Sequence, residues 1–452
     1  MTPKQEKNEI ATFFRGEPGF TRLLSLLIKK YASLGRVGGS VKLEKLTKGE
    51  ADSLSAFFRR NYLAQQSVVI HFADFRVALE QTRFTGIHVL DFLSAYQGHH
   101  LLTNEEVGRE KEMAKEQLFA KFMDQYPQTL CQQWLNAIKK KLPGTRRVHL
   151  AYEQDVLALE KNLHVVLEAL RNLPEKYERL PLFARRISGD PHALDQNTEA
   201  GRLLLYALGI ILLGEKKVVE VGETEIVRTT VEEENELLYT FGLLRDDILN
   251  FVTCMGLLAI EDGGKAGPML YWQQAWQSGA VLNIPLREMI KVQYLYPALQ
   301  TQNGTKHVFV VENSGVFSLL ADTFSQQGLF LPPLLCMHGQ FKLTCWATIE
   351  RLVAGGCTIW YSGDFDPEGL FMAGRLLARY PESVRLWRYS VEDYVESLSQ
   401  VSLSAERLKK LSAIQGIEFA QLVQKIKEVG RAGYQEGLVE KLAVDMKALV
   451  YG

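Results

Sequence analysis

The C-terminal third of the chain carries the most regular pattern of apolar and polar positions. Val308–Val311, Leu334–Met337, Thr358–Tyr361 and the start of a fourth run at Val384–Leu386 are short and largely apolar. Between them, Ser314–Phe324, Leu343–Val353 and the stretch from Pro367 to Tyr380 read as helices. Apolar strands separated by helices predict a parallel sheet covered on both faces. Residues 306–452 are therefore expected to form an α/β domain.

Upstream the pattern is less regular. Ser40–Leu46 alternates apolar and polar residues as a strand does, and Thr47-Lys48-Gly49-Glu50 has the form of a capping box opening a helix through Leu54, Phe57 and Phe58. Ser67–Phe72 is a second β-rich run, followed by a helical stretch from Asp74 to about Thr82. These pieces predict a small mixed α/β, winged-helix-like module within residues 1–150. Thr103-Asn104-Glu105-Glu106 is another capping box, opening a long charged helix that ends near Pro127. From Asp155 to Leu213 the pattern is helical, interrupted at Asp190-Pro191, and residues 151–305 are expected to be mainly helical. The acidic patch Val231–Glu236 starts a further helix. Gly263-Gly264-Lys265-Ala266-Gly267-Pro268 is the clearest breaker cluster, a turn or interdomain loop. Its spacing is not that of a Walker A loop, and no Ser or Thr follows the Lys.

The chain has 452 residues, enough for two to four domains, with 46% hydrophobic and 23% charged residues. The longest apolar run, Leu203–Leu213, is too short to span a membrane. The N-terminal Met1–Lys7 has no apolar core of a signal peptide. Five cysteines show neither CxxC pairs nor metal-ligand spacing, so buried thiols in a reducing cytoplasm are expected. The net charge is −1, but it is unevenly spread: residues 1–150 carry 23 Lys and Arg against 15 Asp and Glu. Lys139, Lys140, Lys141, Arg146 and Arg147 flank a Pro-Gly break and form a candidate phosphate-binding loop. The same cations suit a solvated helix end equally well.

In a parallel sheet, ligands bind beyond the carboxyl ends of the strands. Those ends carry Glu312, then His338 and Gln340, then Asp364, Asp366 and Glu368. Converging carboxylates repel unless a cation lies between them, and an all-oxygen set selects Mg²⁺ or Mn²⁺. Asp364 and Asp366 are two residues apart and face the same side of an extended segment. Pro367 fits the first turn of the next helix, and Gly369 allows close backbone approach. A surface Asp-x-Asp-Pro turn is the simpler alternative. Asp246-Asp247 are adjacent, and on a helix they would point to different sides.

A Glu after one strand and Gly363-Asp364-Phe365-Asp366-Pro367-Glu368-Gly369 two strands later resemble the TOPRIM fold of topoisomerases, primases and some nucleases. The DxDPxG form is similar to that of type IIB topoisomerase A subunits. Leu34–Ser40, His192–Asp195, Val311-Glu312-Asn313, His338-Gly339-Gln340 and Tyr434–Leu438 extend the resemblance to the JetD family, nuclease subunits of Wadjet plasmid-defence systems. The resemblance implies a metal-dependent DNA endonuclease with a C-terminal TOPRIM domain and an N-terminal mixed α/β, largely helical, DNA-binding region. It assigns metal binding to Asp364 and Asp366, and metal binding or acid–base work to Glu312. Glu368 is a second-metal candidate or a helix-start carboxylate. His338 and Gln340 are candidate DNA contacts. Expected partners are plasmid DNA, an SMC-like ATPase with its kleisin and winged-helix subunits, and a second copy of the chain. Glu436 and Glu440, at i and i+4, read as a solvated helix face.

Two other functions fit parts of the pattern. A topoisomerase-like transesterase needs a tyrosine nucleophile, for which Tyr294 and Tyr296 are the nearest upstream candidates, although their apolar neighbours suit core packing. A non-catalytic DNA-binding scaffold would carry a vestigial site.

Overall fold

Capping chemistry and apolar periodicity set the elements of the first of two compact units, Met1–Pro127 and Gln128–Gly452. The structure, a computed structural model, describes residues 3–221, 230–263, 267–299, 301, 304–414 and 416–452. Residues 264–266 of the Gly263–Pro268 cluster lie outside the described residues.

The first unit contains helices α1 (Pro3–Arg15) and α2 (Thr21–Leu34), strand β1 (Ser40–Glu44), helix α3 (Lys48–Phe58), strand β2 (Ser67–His71) and helix α4 (Phe72–Glu80). Helices α5 (Val89–Gln97) and α6 (Asn104–Gln125) complete it. Thr47 and Thr103 both make the capping boxes read from the sequence, with Glu50 and Glu106 as reciprocal partners. β1 and β2 pair antiparallel, joined through α3 rather than a tight hairpin. Phe14, Phe20, Phe58, Phe75 and Phe92 dominate the core, mostly in edge-to-face or tilted ring contacts.

The second unit begins at Gln128, so residues 128–150, including the basic loop, pack with it rather than with the front of the chain. Helices α7 (Thr129–Lys139), α8 (Arg146–Gln154), α9 (Val156–Arg171), α10 (Leu180–Ser188) and α11 (Glu199–Leu213) confirm the helical reading of that stretch. Among the described residues no helix is long and apolar enough to cross a membrane. All five cysteines are buried and unbridged.

Beyond this lies a six-stranded mixed sheet. Its strands are β3 (Phe251–Met255), β5 (Leu282–Pro285), β7 (His307–Val311), β8 (Leu334–Cys336), β9 (Thr358–Ser362) and β10 (Val384–Leu386). β4 (Leu257–Glu261) and β6 (Val292–Pro297) form a separate antiparallel pair. The sheet order is β10-β9-β7-β8-β3-β5. The four strands from β7 onward are parallel, as their apolar runs predict. β3 and β5 add antiparallel edges. Residues 151–305 are thus not purely helical: Val252 and Cys254 are buried in the same core as β7, which draws this segment into the sheet.

Helices α12 (Ser314–Gln326), α13 (Leu343–Ala354) and α14 (Pro367–Arg379) connect the parallel strands. After β10 comes an excursion: strand β11 (Leu398–Ser402), short helix α15 (Ala405–Lys410), helix α16 (Ala420–Val429) and strand β12 (Arg431–Gly433). A 3₁₀ turn, Gln435–Leu438, leads into the last helix, α17 (Val439–Tyr451).

Candidate active site

The register of the two central strands creates the site. β7 and β9 run parallel with Val311 opposite Ser362, so Glu312 and Gly363 leave the sheet side by side. The Asp364 backbone N–H donates to Glu312 Oε2 at 3.1 Å. Gly363 makes this approach possible, since a Cβ there would lie 2.7 Å from Glu312 Oε2 and 2.9 Å and 3.0 Å from the Tyr361 and Tyr389 hydroxyls. Gly369 is similarly required: its Cβ would sit 2.4 Å from the Asp364 carbonyl oxygen.

The two innermost acids are held by neutral donors. Asn313 Nδ2 donates to both Asp364 oxygens at 3.1 and 3.2 Å, and the Gln435 N–H donates to Asp364 Oδ1 at 2.9 Å. Gln435 is fully buried, and its Oε1 accepts the Glu312 N–H at 3.3 Å. The Phe365 backbone pairs with Gly433 of β12, which fixes the Asp-x-Asp segment from the other side. Burial and the neighbouring Asp364 push the Glu312 carboxyl up to about 8. Burial also raises Asp364, with the Gln435 and Asn313 hydrogen bonds opposing and Glu436 and Asp366 adding to it.

The outer acids are held differently. Asp366 caps α14: its Oδ1 accepts the Gly369 N–H at 2.8 Å, and Pro367 occupies the first turn as expected. Asp366 Oδ2 accepts from Arg407 Nη2 at 2.6 Å. Glu368 pairs with Arg407 at 2.5 Å and Lys410 at 3.1 Å. Those cations outweigh its partial burial and lower its pKa. Glu368 thus behaves as a helix-start carboxylate at the rim, pointing to basic side chains rather than sharing an inner oxygen cluster with Glu312.

His338 and Gln340 do not join the acids. His338 adopts a positive φ of 52°, and its Nε2 lies 2.6 Å from Thr253 Oγ1 on the antiparallel side of the sheet. Thr253 donates to Asn283 Oδ1, so its hydroxyl takes the imidazole N–H. Burial and then Lys342 lower the His338 pKa, which disfavours a cationic phosphate contact at neutral pH. Gln340 is exposed in the following turn.

The structure also brings to the site residues to which the sequence assigned no role there. Glu436 sits in the 3₁₀ turn, and its charge raises both Glu312 and Asp364. Glu436 and Glu440 are both exposed, as a solvated face requires, although Glu436 lies in the 3₁₀ turn that leads into α17 rather than in the α-helix itself. Asn313 and Gln435 carry the hydrogen bonds that orient the site. Arg407, 41 residues after Asp366, had no local signal.

Elsewhere, Asp246-Asp247 lie in bends rather than on a helix. Asp246 caps the Ile248 and Leu249 N–H groups, and buried Asp247 pairs with Arg179 at 2.7 Å. Both carboxylates are thus engaged by groups of the protein itself. The basic loop spans the α7–α8 connection. There Lys140 pairs with Glu215 at 2.5 Å, and Arg147 makes two 2.6 Å bonds to Glu199. Neutralising all five cations is expected to weaken DNA binding and flatten its salt dependence. The change should be smaller than five phosphate contacts would give, because these two already have acidic partners. Binding measured across a salt series checks this, and an unchanged slope would make the loop a helix connection only.

Among the described residues, no three His, Cys, Asp or Glu side chains form a ready-made metal cluster. The donor chemistry nevertheless fits a hard divalent cation at the inner end. Glu312 and Asp364 are oxygen donors raised first by burial and then by neighbouring carboxylates, and Asp366 stands beside them with its outer oxygen on Arg407.

Residues 37–259 match a family model described as a protein of unknown function N-terminus (DUF3323). Residues 282–446 match another, described as a protein of unknown function C-terminus (DUF2399). No curated protein matches the chain. The chain therefore joins a DUF3323 N-terminal region to a DUF2399 C-terminal region, and the carboxylates with all the residues that orient them lie inside the latter.

Proposed function

We propose that this protein is a metal-dependent DNA endonuclease with a TOPRIM-type catalytic domain, acting as the JetD-like nuclease subunit of a Wadjet plasmid-defence system. The observation that carries the reading is the junction of Glu312 and Asp364. Buried Glu312, at the end of one strand, accepts the backbone N–H of half-buried Asp364 from the adjacent parallel strand, beside a second aspartate that caps the next helix. Such an arrangement is costly for stability and suited to a cation. The ordered DUF3323–DUF2399 pairing, characteristic of JetD-like proteins, supports the same assignment.

A divalent cation bound by Asp364, Asp366 and Glu312 would neutralise charge on a scissile phosphate and activate water. Asn313 and Gln435 hold Asp364 in one orientation, so little rearrangement is needed at that carboxylate. If the two aspartates alone held the cation, Glu312, whose carboxyl lies at about 8 in the metal-free protein, would be the group able to accept or deliver a proton near neutral pH. The partners proposed are plasmid DNA, the SMC-like motor with its kleisin and winged-helix subunits, and a second copy of the chain cutting the opposite strand.

Tyrosine transesterification is kept as a second reading because Tyr294 is exposed, contrary to the core position its apolar neighbours suggest. Tyr294 lies on β6, paired with Ile260 in the separate two-stranded sheet. Tyr294→Phe and Tyr296→Phe, singly and together, are expected to keep most cleavage activity, with products carrying free DNA ends. The test is electrophoresis of products with and without protease. A folded but inactive Phe variant, together with protein-linked ends from the wild type, would replace hydrolysis by transesterification.

A further inference from the structure

The positive charge near the candidate site is distributed unequally. The inner acids, Glu312 and Asp364, are met by amide and backbone donors, whereas the outer acids, Asp366 and Glu368, are met by cations. Those cations come from α15, in the excursion between β11 and β12. The excursion is tied to the site twice, through the Phe365–Gly433 backbone pair and through Arg407.

Resting on the cation-site reading above, we propose that Arg407 is a gate: it holds Asp366 in the metal-free protein, and a divalent cation binds by displacing it. Asp366 has two oxygens. Oδ1 is committed to the Gly369 N–H, and Oδ2 carries the guanidinium at 2.6 Å. A divalent ion sharing Asp366 with Asp364 would compete with the guanidinium for this carboxylate, and most directly at Oδ2, the oxygen not taken by the helix cap; two positive groups on one carboxylate repel. The exchange requires no opening of α15. Arg407 Nε and Nη2 both contact Glu368 Oε2, at 3.2 and 2.5 Å, so Arg407 can leave Asp366 while remaining anchored. Lys410 holds the other Glu368 oxygen at 3.1 Å and does not touch Asp366 among the described contacts. Glu368 is thus the parking position for the displaced guanidinium. Asp366 is largely buried while Glu368 is half exposed, so the guanidinium moves towards solvent as the cation enters.

A merely structural clamp makes a different prediction. Loosening it would lower stability and leave cation affinity unchanged or reduced. Calorimetric titration of Mn²⁺ into the full-length protein separates the two. Arg407→Gln is expected to bind Mn²⁺ about tenfold more tightly than the wild type, the loss of one competing charge-assisted hydrogen bond. Lys410→Ala is expected to stay within about twofold of the wild type. Arg407→Lys, which keeps the charge but not the fork, should fall between wild type and Arg407→Gln, so the comparison survives if the glutamine variant melts early. Equal or weaker Mn²⁺ binding by both Arg407 variants would overturn the gate, as would an equal gain from Lys410→Ala. Asp364→Asn should abolish uptake in the wild-type and Arg407→Gln backgrounds. Wild-type-like binding by Asp364→Asn would instead overturn the cation site itself, and no uptake by any protein would overturn both.

Discussion

Replacing Asp364 by alanine is expected to abolish plasmid cleavage, by about three orders of magnitude or more, while the fold persists. The size follows from removing a ligand to an ion that contributes several kcal/mol of transition-state stabilisation, at about 1.4 kcal/mol per tenfold in rate. Two opposing effects act on stability. The buried repulsion with Glu312 disappears, but the Gln435 N–H and Asn313 amide lose their acceptor. Melting should therefore shift by only a few degrees. Asp366→Ala is expected to be equally inactive yet less stable, by about 1 kcal/mol, because the Gly369 N–H loses its cap. Cleavage assays at limiting Mg²⁺, with thermal melting of the same preparations, check both outcomes. Near-normal cleavage by either variant would remove the carboxylates from the chemistry.

A second large effect is expected in the pH dependence of stability. Glu312 ionises near its ordinary 4.5 in the unfolded chain and at about 8 in the folded one. As pH rises, the unfolded chain releases this proton first, so the stability associated with the protonated carboxyl is full below about 4.5 and gone above about 8. Asp364, also raised, acts in the same direction from its ordinary 3.8 upward. Metal-free protein should lose melting temperature steadily from pH 5 to pH 8.5. Glu312→Gln keeps an acceptor for the Asp364 N–H and removes the charge. It should flatten that profile and melt higher at pH 8.5, by roughly 2–5 °C. Mg²⁺ at pH 8 should recover stability in the wild type and much less in the variant. Parallel pH profiles for the two proteins would show that Glu312 is not held protonated by its surroundings.

Of the four parallel strands, β7 and β8 were legible because they are buried and read as apolar runs, while the partly exposed β9 and the edge strand β10, with Arg385 exposed, were legible from their alternation with helices. The capping boxes at Thr47 and Thr103 were legible because the motif is local. β3 and β5 were not: Phe251–Met255 and Leu282–Pro285 become strands by pairing with β8 and with each other, and flanking residues do not specify that. At the site, Glu312, Asp364 and Asp366 followed from strand ends alone. The orienting groups did not, since Gln435 is brought back by the excursion after β10 and acts through its backbone N–H and a buried amide. The sequence left Glu368 open between a second-metal ligand and a helix-start carboxylate, and gave Asp366 no cationic partner. The cations that hold both acids, Arg407 and Lys410, arrive from about 40 residues downstream.

The most direct measurement is conversion of supercoiled plasmid by the purified protein, alone and with its SMC-like motor complex, in Mg²⁺ or Mn²⁺ and in chelator. Nicked or linear DNA with free ends is expected with metal, none with chelator, and none from Asp364→Ala under either condition. Cleavage that persists in chelator, or intact plasmid in every metal-containing reaction including those with the motor, would contradict a metal-dependent endonuclease.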